Sequence, residues 1–221
     1  MLHCALFDLD NTLYPESSGL MTEIGLRMNR FMSERLGIPA EKVREIRHSF
    51  LTSHGTTLNG LRRHYEIDPD DFLSFVHDIP LERFISRDES LDRMLAALPL
   101  RKIIFTNADA RHARRVLSRL GVLRHFEAII DIHFTEFCNK PDPRAYRSVL
   151  DFAGVRPDEC VLIEDYPVNI RPAKAMGMTT VLVGKGGKDS ENAGVADYAI
   201  DSVVELSRIF VEDKDVCARN A

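Results

Sequence analysis

The sequence predicts an α/β fold, with a parallel sheet at its core and an all-helical segment inserted after the first strand. Two observations support this prediction. Short apolar runs of strand character alternate with helical patterns along most of the chain, which is typical of βαβ units. After the first of these runs, roughly 70 residues show helical periodicity without a convincing strand, and such a segment is too long to be a loop.

Five short segments have the composition of buried strands. Each is apolar, rich in β-branched or aromatic residues, and followed by polar residues. The predicted strands are His3–Asp8, Lys102–Thr106, Glu127–Asp131, Cys160–Glu164 and Thr179–Val183.

Helical patterns fill the intervals between the later strands. Apolar residues recur at helical spacing before Gly121 and before Gly154, and each glycine is a suitable C-cap. Pro167 can begin a third helix. In the insert, apolar stripes centred on Ile24, on Val43 to Phe50, and on Phe72 to Val76 predict three or four helices that pack together.

Length and composition indicate a folded chain with one large domain and a smaller insert. The 221 residues are 44% apolar and 29% charged, which excludes disorder for the bulk of the chain. We expect a catalytic core over residues 1–14 and 89–210, a helical cap over 15–88, and a frayed polar tail over 211–221. The glycine- and lysine-rich segment 184–188 is expected to be a surface loop after the fifth strand.

Charge and hydropathy narrow the range of partners. The 29 Lys and Arg against 34 Asp and Glu give a net charge of -5, whereas proteins that bind nucleic acid polymers usually carry a basic surplus. The longest apolar runs have about five residues, and a membrane span needs about 20. The four cysteines lack metal-binding spacing, so we expect them to be reduced in a cytoplasmic protein. The oligomeric state is left open.

Polar side chains follow four of the predicted strands, at the edge of the sheet where ligands bind in open parallel folds. Any one of these sites alone would be an ordinary turn, but agreement at four strand ends favours a functional site. The polar residues at these ends are Asp8, Asp10, Asn11, Thr12, Thr106, Asn107, Asn139, Lys140, Glu164 and Asp165.

This collection suits phosphoryl transfer. Asp8 can attack phosphorus as a nucleophile and form an aspartyl-phosphate. Because a carboxylate and a phosphate repel each other, we expect a Mg²⁺ ion held by Asp8, Asp165 and the main-chain carbonyl of Asp10. Asp10 can protonate the leaving alkoxide and then activate water, for which burial and a neighbouring carboxylate would raise its pKa.

Three further residues complete the expected catalytic set. Lys140 supplies a positive charge, and Thr106 and Asn107 offer hydrogen-bond donors for the equatorial phosphate oxygens. With Lys140 and Mg²⁺ opposing the three aspartates, the site would be near neutral, so an incoming phosphate would meet no net repulsion.

The motifs resemble those of the haloacid dehalogenase superfamily. Residues 8–12 (Asp-Leu-Asp-Asn-Thr) resemble its first motif and residues 106–107 its second. Residues 140–141 resemble the third, and Glu164-Asp165 with Asn169 the fourth. This resemblance implies a Rossmann-like core, Mg²⁺, an aspartyl-phosphate intermediate, and a helical cap inserted between the first two motifs.

Within that superfamily, residues 7–15, 54–61 and 104–108 are similar to the pyrimidine 5'-nucleotidase branch. That similarity implies a pyrimidine mononucleotide substrate. Glu164 and Tyr166 depart from the superfamily pattern, in which Asp and Ser are common at these positions.

The remaining polar residues allow alternative interpretations. In the insert, Thr56, Thr57 and Asn59 are candidate substrate-binding residues, although a threonine there could equally be an ordinary helix N-cap. His77 and His112 have no obvious partner and are expected at the surface.

Several other functions remain open. A sugar-phosphate phosphatase or a phosphomutase would use the same motifs. A dehalogenase is less favoured, because its reaction has no alkoxide leaving group for Asp10 to protonate. A phospho-accepting scaffold without catalysis is disfavoured by the complete set Asp8, Asp10, Lys140 and Asp165.

Overall fold

A parallel sheet of six strands forms the centre of the computed structural model, which describes residues 1–184 and 194–210. The expected tail 211–221 and all but Gly184 of the segment 184–188 lie outside the described residues. The strands are β1 (Cys4–Phe7), β2 (Arg101–Phe105), β3 (Ala128–Ile130), β4 (Cys160–Glu164), β5 (Thr179–Val183) and β6 (Tyr198–Ile200). The predicted α/β fold with a parallel sheet is therefore confirmed, and β6 is an addition to it.

The strand order β3-β2-β1-β4-β5-β6 places β1 at the centre of the sheet. Phe7 at the end of β1 pairs with Ile104 of β2 on one side and with Ile163 of β4 on the other. Strands β2 and β3 lie on one side of β1, and β4, β5 and β6 lie on the other. The crevice at the carboxyl end of β1 is therefore a topological switch point, where parallel sheets bind ligands. The register brings the residues that follow β1, β2 and β4 to one edge.

Helices cover both faces of the sheet, and an insert of helices lies between β1 and β2. The insert contains α1 (Leu20–Arg30), α2 (Ala40–His54), α3 (Thr57–His64) and α4 (Pro69–His77). The helices of the sheet-bearing part are α5 (Glu89–Ala97), α6 (Ala110–Leu120), α7 (Pro143–Ala153), α8 (Pro167–Ala175) and α9 (Leu206–Phe210). Among them, no helix of the described residues is long and apolar enough to cross a membrane.

Capping residues fix the helices that approach the strand ends. Asp109 caps α6 by accepting a hydrogen bond from the His112 amide (2.9 Å), and Gly121 ends that helix in the left-handed region (φ 81°). Pro167 occupies the first turn of α8, as the sequence predicts. These caps set where the helices begin, and therefore which side chains face the edge of the sheet.

The insert has an apolar core of its own. Phe31 and Phe72 meet edge to face with ring centroids 5.1 Å apart, and both are almost fully buried. Leu20 and Ile24 of α1 instead join the core on one face of the sheet. The insert is thus a packed unit attached to the sheet through α1, while the domain boundaries expected at residues 14 and 88 stay a prediction.

Candidate active site

Asp8 follows β1 directly and forms a buried ion pair with Lys140. The Lys140 Nζ atom lies 2.7 Å from Oδ1 of Asp8 and 2.7 Å from Oε2 of Glu164. Only 1% of the Lys140 side chain is exposed. Burial lowers the pKa of Lys140, but the two carboxylates outweigh burial and hold it well above its ordinary value. Lys140 is therefore a fixed positive charge beside Asp8.

Glu164 is the residue that positions Lys140 from the other side. Its Oε2 atom accepts from Lys140 and from Nδ2 of Asn169 (3.2 Å). Its Oε1 atom accepts from the main-chain amides of Asp165 (3.2 Å) and Tyr166 (3.1 Å). Both oxygens of Glu164 are therefore occupied, and the residue holds the end of β4 and the lysine in place. The sequence alone does not predict these contacts of Glu164.

Carboxylate oxygens of Asp8, Glu164 and Asp165 lie within 4.8 Å of one another, close enough to hold a metal ion. The Thr12 hydroxyl contacts Oδ2 of Asp8 (3.2 Å) and Oδ1 of Asp165 (3.4 Å) and so lies between them. Each Glu164 oxygen already accepts two hydrogen bonds, whereas each Asp8 oxygen accepts one and Asp165 accepts one in all. Asp8 and Asp165 are therefore the more available ligands.

The electrostatics of this cluster fit a divalent cation. Burial, followed by the charge of Glu164, raises the pKa of Asp8 to about 7 and that of Asp165 to about 9. When all three carboxylates are ionised, they face the single positive charge of Lys140, which leaves two negative charges uncompensated. A cluster of hard oxygen donors with this excess charge suits Mg²⁺. The residues present therefore fit the metal that the sequence predicts.

Asp10 is held away from this cluster by two side chains that the sequence did not connect with it. The Tyr14 hydroxyl lies 2.5 Å, and Nε2 of His112 lies 3.0 Å, from Oδ1 of Asp10. Burial would raise the pKa of Asp10, but His112 and then Tyr14 outweigh burial and lower it. The expectation of a raised pKa for Asp10 is therefore wrong in this arrangement, because His112 stabilises the ionised form.

His77 and His112 are buried, so their predicted place at the surface is wrong. Their rings stack with centroids 4.1 Å apart, and Nδ1 of His77 lies 2.5 Å from Oδ2 of Asp109. Burial, and then the neighbouring His112, lowers the pKa of His77. Each histidine has a carboxylate partner whose interaction offsets the free-energy cost of burying the ring. One sequence signal could have revealed this: His112 shares the helical stripe of Val116 and Leu120, which face the core.

The two residues that follow β2 have structural contacts. The buried Thr106 accepts from the Ala108 amide at 3.0 Å. Asn107 makes a reciprocal pair with the main chain of Lys140: its Nδ2 donates to the carbonyl (3.1 Å) and its Oδ1 accepts from the amide (2.8 Å). Asn107 thereby fixes the segment that carries Lys140 against the end of β2.

A cavity of about 280 Å³ lies between the insert and the strand ends. This strand-end cavity is lined on the sheet side by Asp10, Asn107, Tyr166 and Asn169. Apolar residues of the insert form much of the opposite wall, including Met21, Ile24, Met28, Leu58, Phe72 and Val76. The cavity therefore places an apolar roof over the polar strand ends.

The three candidate residues of the insert occupy different positions. Thr56 and Thr57 line the strand-end cavity, and Thr56 is also the N-cap of α3, accepting from the Asn59 amide at 3.1 Å. The Asn59 side chain donates to the Phe137 carbonyl (2.8 Å) and contacts Oδ1 of Asn139. Asn59 therefore joins the insert to the segment before Lys140, while the threonines face the cavity.

The chain belongs to the haloacid dehalogenase-like hydrolases, because the model of that family matches residues 2–177. It is 28% identical over 209 residues to "Phosphate metabolism protein 8" of Saccharomyces cerevisiae, covering 87% of this chain and 65% of that protein. It is 27% identical to the "Glyceraldehyde 3-phosphate phosphatase" of Methanocaldococcus jannaschii, covering 93% of this chain and 96% of that protein. The chain thus spans about two thirds of the yeast relative and nearly all of the archaeal one.

The fold is shared with a solved structure described as a HAD phosphatase from Thermococcus onnurineus. The TM-score is 0.66 at 22% identity, over 95% of this chain and 98% of the other. These comparisons place the chain among the haloacid dehalogenase-like hydrolases, and the archaeal relative and this solved structure are both described as phosphatases. They give no support to the pyrimidine 5'-nucleotidase branch, so that finer assignment stays a prediction.

Proposed function

We propose that the protein is a Mg²⁺-dependent phosphatase that hydrolyses a small phosphate monoester of the sugar-phosphate class through an aspartyl-phosphate. The observation that carries this proposal is the setting of Asp8 at the end of β1. One of its oxygens is 2.7 Å from Lys140, the other 3.2 Å from Thr12, and Asp165 is next to it. A carboxylate fixed in this way is oriented for attack on an electrophile in the strand-end crevice.

Each step of the reaction has a residue suited to it. Asp8 attacks phosphorus, the bond from phosphorus to the leaving oxygen breaks, and Asp10 gives that oxygen a proton. Asp10 then takes a proton from water, which attacks the aspartyl-phosphate, releases phosphate and restores Asp8. The lowered pKa of Asp10 favours its ionised form, which accepts the proton in the second step, and makes the protonated form that the first step uses the minor one.

The remaining polar groups stabilise charge and hold the substrate. Bound Mg²⁺, with Asp8 and Asp165 as its side-chain ligands and the Asp10 carbonyl as a third, would offset the charge of the phosphate. Lys140 and Thr106 act on the charge that develops during transfer. Asn107 keeps the Lys140 segment in place and, with Thr56 and Thr57, is proposed to contact substrate.

Two observations favour a small sugar phosphate over a mononucleotide. The strand-end cavity, at about 280 Å³, is slightly smaller than the roughly 300–1,000 Å³ typical of pockets for drug-sized ligands. The archaeal relative that matches over nearly its whole length is named as a phosphatase of glyceraldehyde 3-phosphate. A pyrimidine mononucleotide, which the branch resemblance implies, remains the competing substrate.

Phosphate release from a substrate panel tests this function. The panel contains three- to six-carbon sugar phosphates, UMP, CMP, AMP and a small chromogenic ester, each with Mg²⁺ and with excess chelator. We expect sugar phosphates to give the highest kcat/KM and chelator to abolish turnover. Preference for UMP or CMP would restore the nucleotidase assignment, while full activity in chelator would contradict the metal-assisted mechanism.

A further inference from the structure

Arg47 of α2 is a cation that lines the strand-end cavity and has no counterion among the residues that the structure describes. Its Nη1 atom donates to the Gly25 carbonyl (2.6 Å) and to Oδ1 of Asn29 (2.8 Å), and both acceptors are neutral. Within residues 1–184 and 194–210, no carboxylate lies at salt-bridge distance from the guanidinium. Nη2 and Nε have no protein partner in that part of the chain, so up to three N–H groups remain for a ligand.

The fold around Arg47 accommodates the guanidinium rather than leaving it at the surface. A Cβ atom added at Gly25 would lie 3.2 Å from both Nη1 and Nη2. The absence of a side chain at Gly25 therefore leaves room for the guanidinium against α1. The Arg47 side chain is partly buried and lines the cavity together with apolar residues of the insert. Burial and the nearby Arg44 lower the pKa of Arg47, which agrees with the absence of an anionic partner.

The other acidic and basic side chains that line this cavity, those of Asp10 and His77, are already paired. Asp10 contacts His112, and His77 contacts Asp109. An unpaired charge held in apolar surroundings costs free energy, and an anion supplied by a ligand would offset that cost. The planar fork of arginine matches the oxygens of a carboxylate or phosphate group.

We propose that Arg47 forms a second anion subsite, so that the preferred substrate is a phosphate monoester whose leaving group carries its own carboxylate or second phosphate. This inference rests on the proposed function and specifies its substrate class. The transferred phosphate lies beside Asp8 and Lys140 on the sheet side. The second anionic group is held by Arg47 on the insert side, and Arg47 therefore selects the substrate without taking part in the chemistry.

Matched esters that differ in one charge test the proposal. Glycerol 3-phosphate and 3-phosphoglycerate have nearly the same size, but only the second carries a carboxylate. Fructose 6-phosphate and fructose 1,6-bisphosphate make the corresponding comparison for a second phosphate. Enzymes to compare are the wild type, Arg47→Gln, Arg47→Lys and, as a matched control, Arg44→Gln, whose side chain is exposed on the same helix.

We expect the wild type to prefer at least one charged ester over its neutral match, and Arg47→Gln to reduce kcat/KM for that ester by about 10- to 100-fold. The neutral esters should change less than about threefold, Arg47→Lys should retain part of the preference, and Arg44→Gln should match the wild type. An equal loss on charged and neutral esters would overturn the proposal, because Arg47 would then serve the transferred phosphate or the packing of the insert.

Equilibrium binding separates this inference from the proposed function. Calorimetry with the Asp8→Asn variant, with and without Arg47→Gln, measures the affinity for the same esters when no turnover occurs. Tighter binding of a charged ester that disappears with Arg47→Gln supports the subsite even if the wild type hydrolyses none of the panel. Identical affinities in the two variants would overturn the subsite, while hydrolysis of the neutral esters would leave the phosphatase function standing.

Discussion

Asp8 is the residue on which the chemistry depends. We expect Asp8→Asn to reduce phosphatase turnover by more than about 100-fold, because the amide keeps the shape of the side chain but lacks the attacking charge. The measurement is phosphate release, with circular dichroism and thermal unfolding as controls for folding. A variant that keeps more than a few per cent of the wild-type rate would contradict the assignment of Asp8 as nucleophile.

Lys140 has a structural effect that can be separated from its role in catalysis. It is buried between Asp8 and Glu164, so its removal leaves two carboxylates without their positive partner. We expect Lys140→Met to lower the free energy of unfolding by about 3–5 kcal/mol, the usual cost of breaking a buried ion pair.

Denaturant unfolding of Lys140→Met in chelator measures this loss. The double variant Lys140→Met with Glu164→Gln is the control, and it should recover part of the stability because one of the two stranded charges is gone. A loss below about 1 kcal/mol for the single variant would show that the pair is not the stabilising contact we describe.

Some residues of the site could be selected from the sequence, and others could not. Asp8, Lys140 and Asp165 could be selected from the sequence, because each follows a strand or stands in a motif. The contacts of Asp10 with His112, and of Arg47 with Gly25, could not. The first joins residues 102 positions apart, and the second depends on how two helices of the insert cross. Neither leaves a local pattern in the sequence.

The packing of helix α2 on helix α3 depends on Gly60. A Cβ atom at this position would overlap the ring of Phe50, so the two helices are as close as a glycine allows. We expect Gly60→Ala to lower the free energy of unfolding by about 1–3 kcal/mol through overpacking, despite the better helix propensity of alanine.

Thermal and denaturant unfolding of Gly60→Ala test this packing. Ser53→Ala, an exposed change in α2, is the matched control and should stay within about 0.5 kcal/mol of the wild type. If Gly60→Ala were as stable as the wild type, α2 and α3 would have to be farther apart than described.

Strand prediction succeeded where the local sequence decides burial. The bounds predicted for Cys160–Glu164 and Thr179–Val183 are those of β4 and β5, since each contains an uninterrupted apolar run (160–163 and 181–183) of the kind found in central parallel strands. Strand β6 (Tyr198–Ile200) was missed, because it has three residues, two of them exposed, and forms only by pairing with β5. An edge strand of this length depends on its neighbour more than on its own composition.

The acidic cluster of Asp8, Glu164 and Asp165 couples the stability of the whole fold to pH and to Mg²⁺. The pKa values of Asp8 and Asp165 are raised to about 7 and about 9, above the value of 3.8 for a free carboxyl group. A raised pKa stabilises the fold at low pH and loses that contribution as the pH rises through the folded value. Without metal, the stability should therefore fall as the pH rises from about 4 to about 9, with the part due to Asp8 lost by about pH 7.

We expect Mg²⁺ to raise the thermal midpoint more at pH 9 than at pH 6, because it binds the ionised carboxylates of the native state. Thermal unfolding with Mg²⁺ and with chelator, at both pH values, makes the comparison. The Asp165→Asn variant is the control and should lose most of the Mg²⁺ effect. A Mg²⁺ shift that is equal at both pH values, or that survives Asp165→Asn, would place the metal elsewhere.

The proposed mechanism requires a covalent bond between Asp8 and the substrate phosphoryl group. Acid quenching during turnover of a ³²P-labelled sugar phosphate, followed by proteolysis and mass spectrometry, looks for that bond directly. We predict labelled protein with the phosphoryl group on the peptide that contains Asp8, released by hydroxylamine and absent from Asp8→Asn. Label on another residue, or active enzyme that yields no labelled peptide under any quench time, would contradict the mechanism.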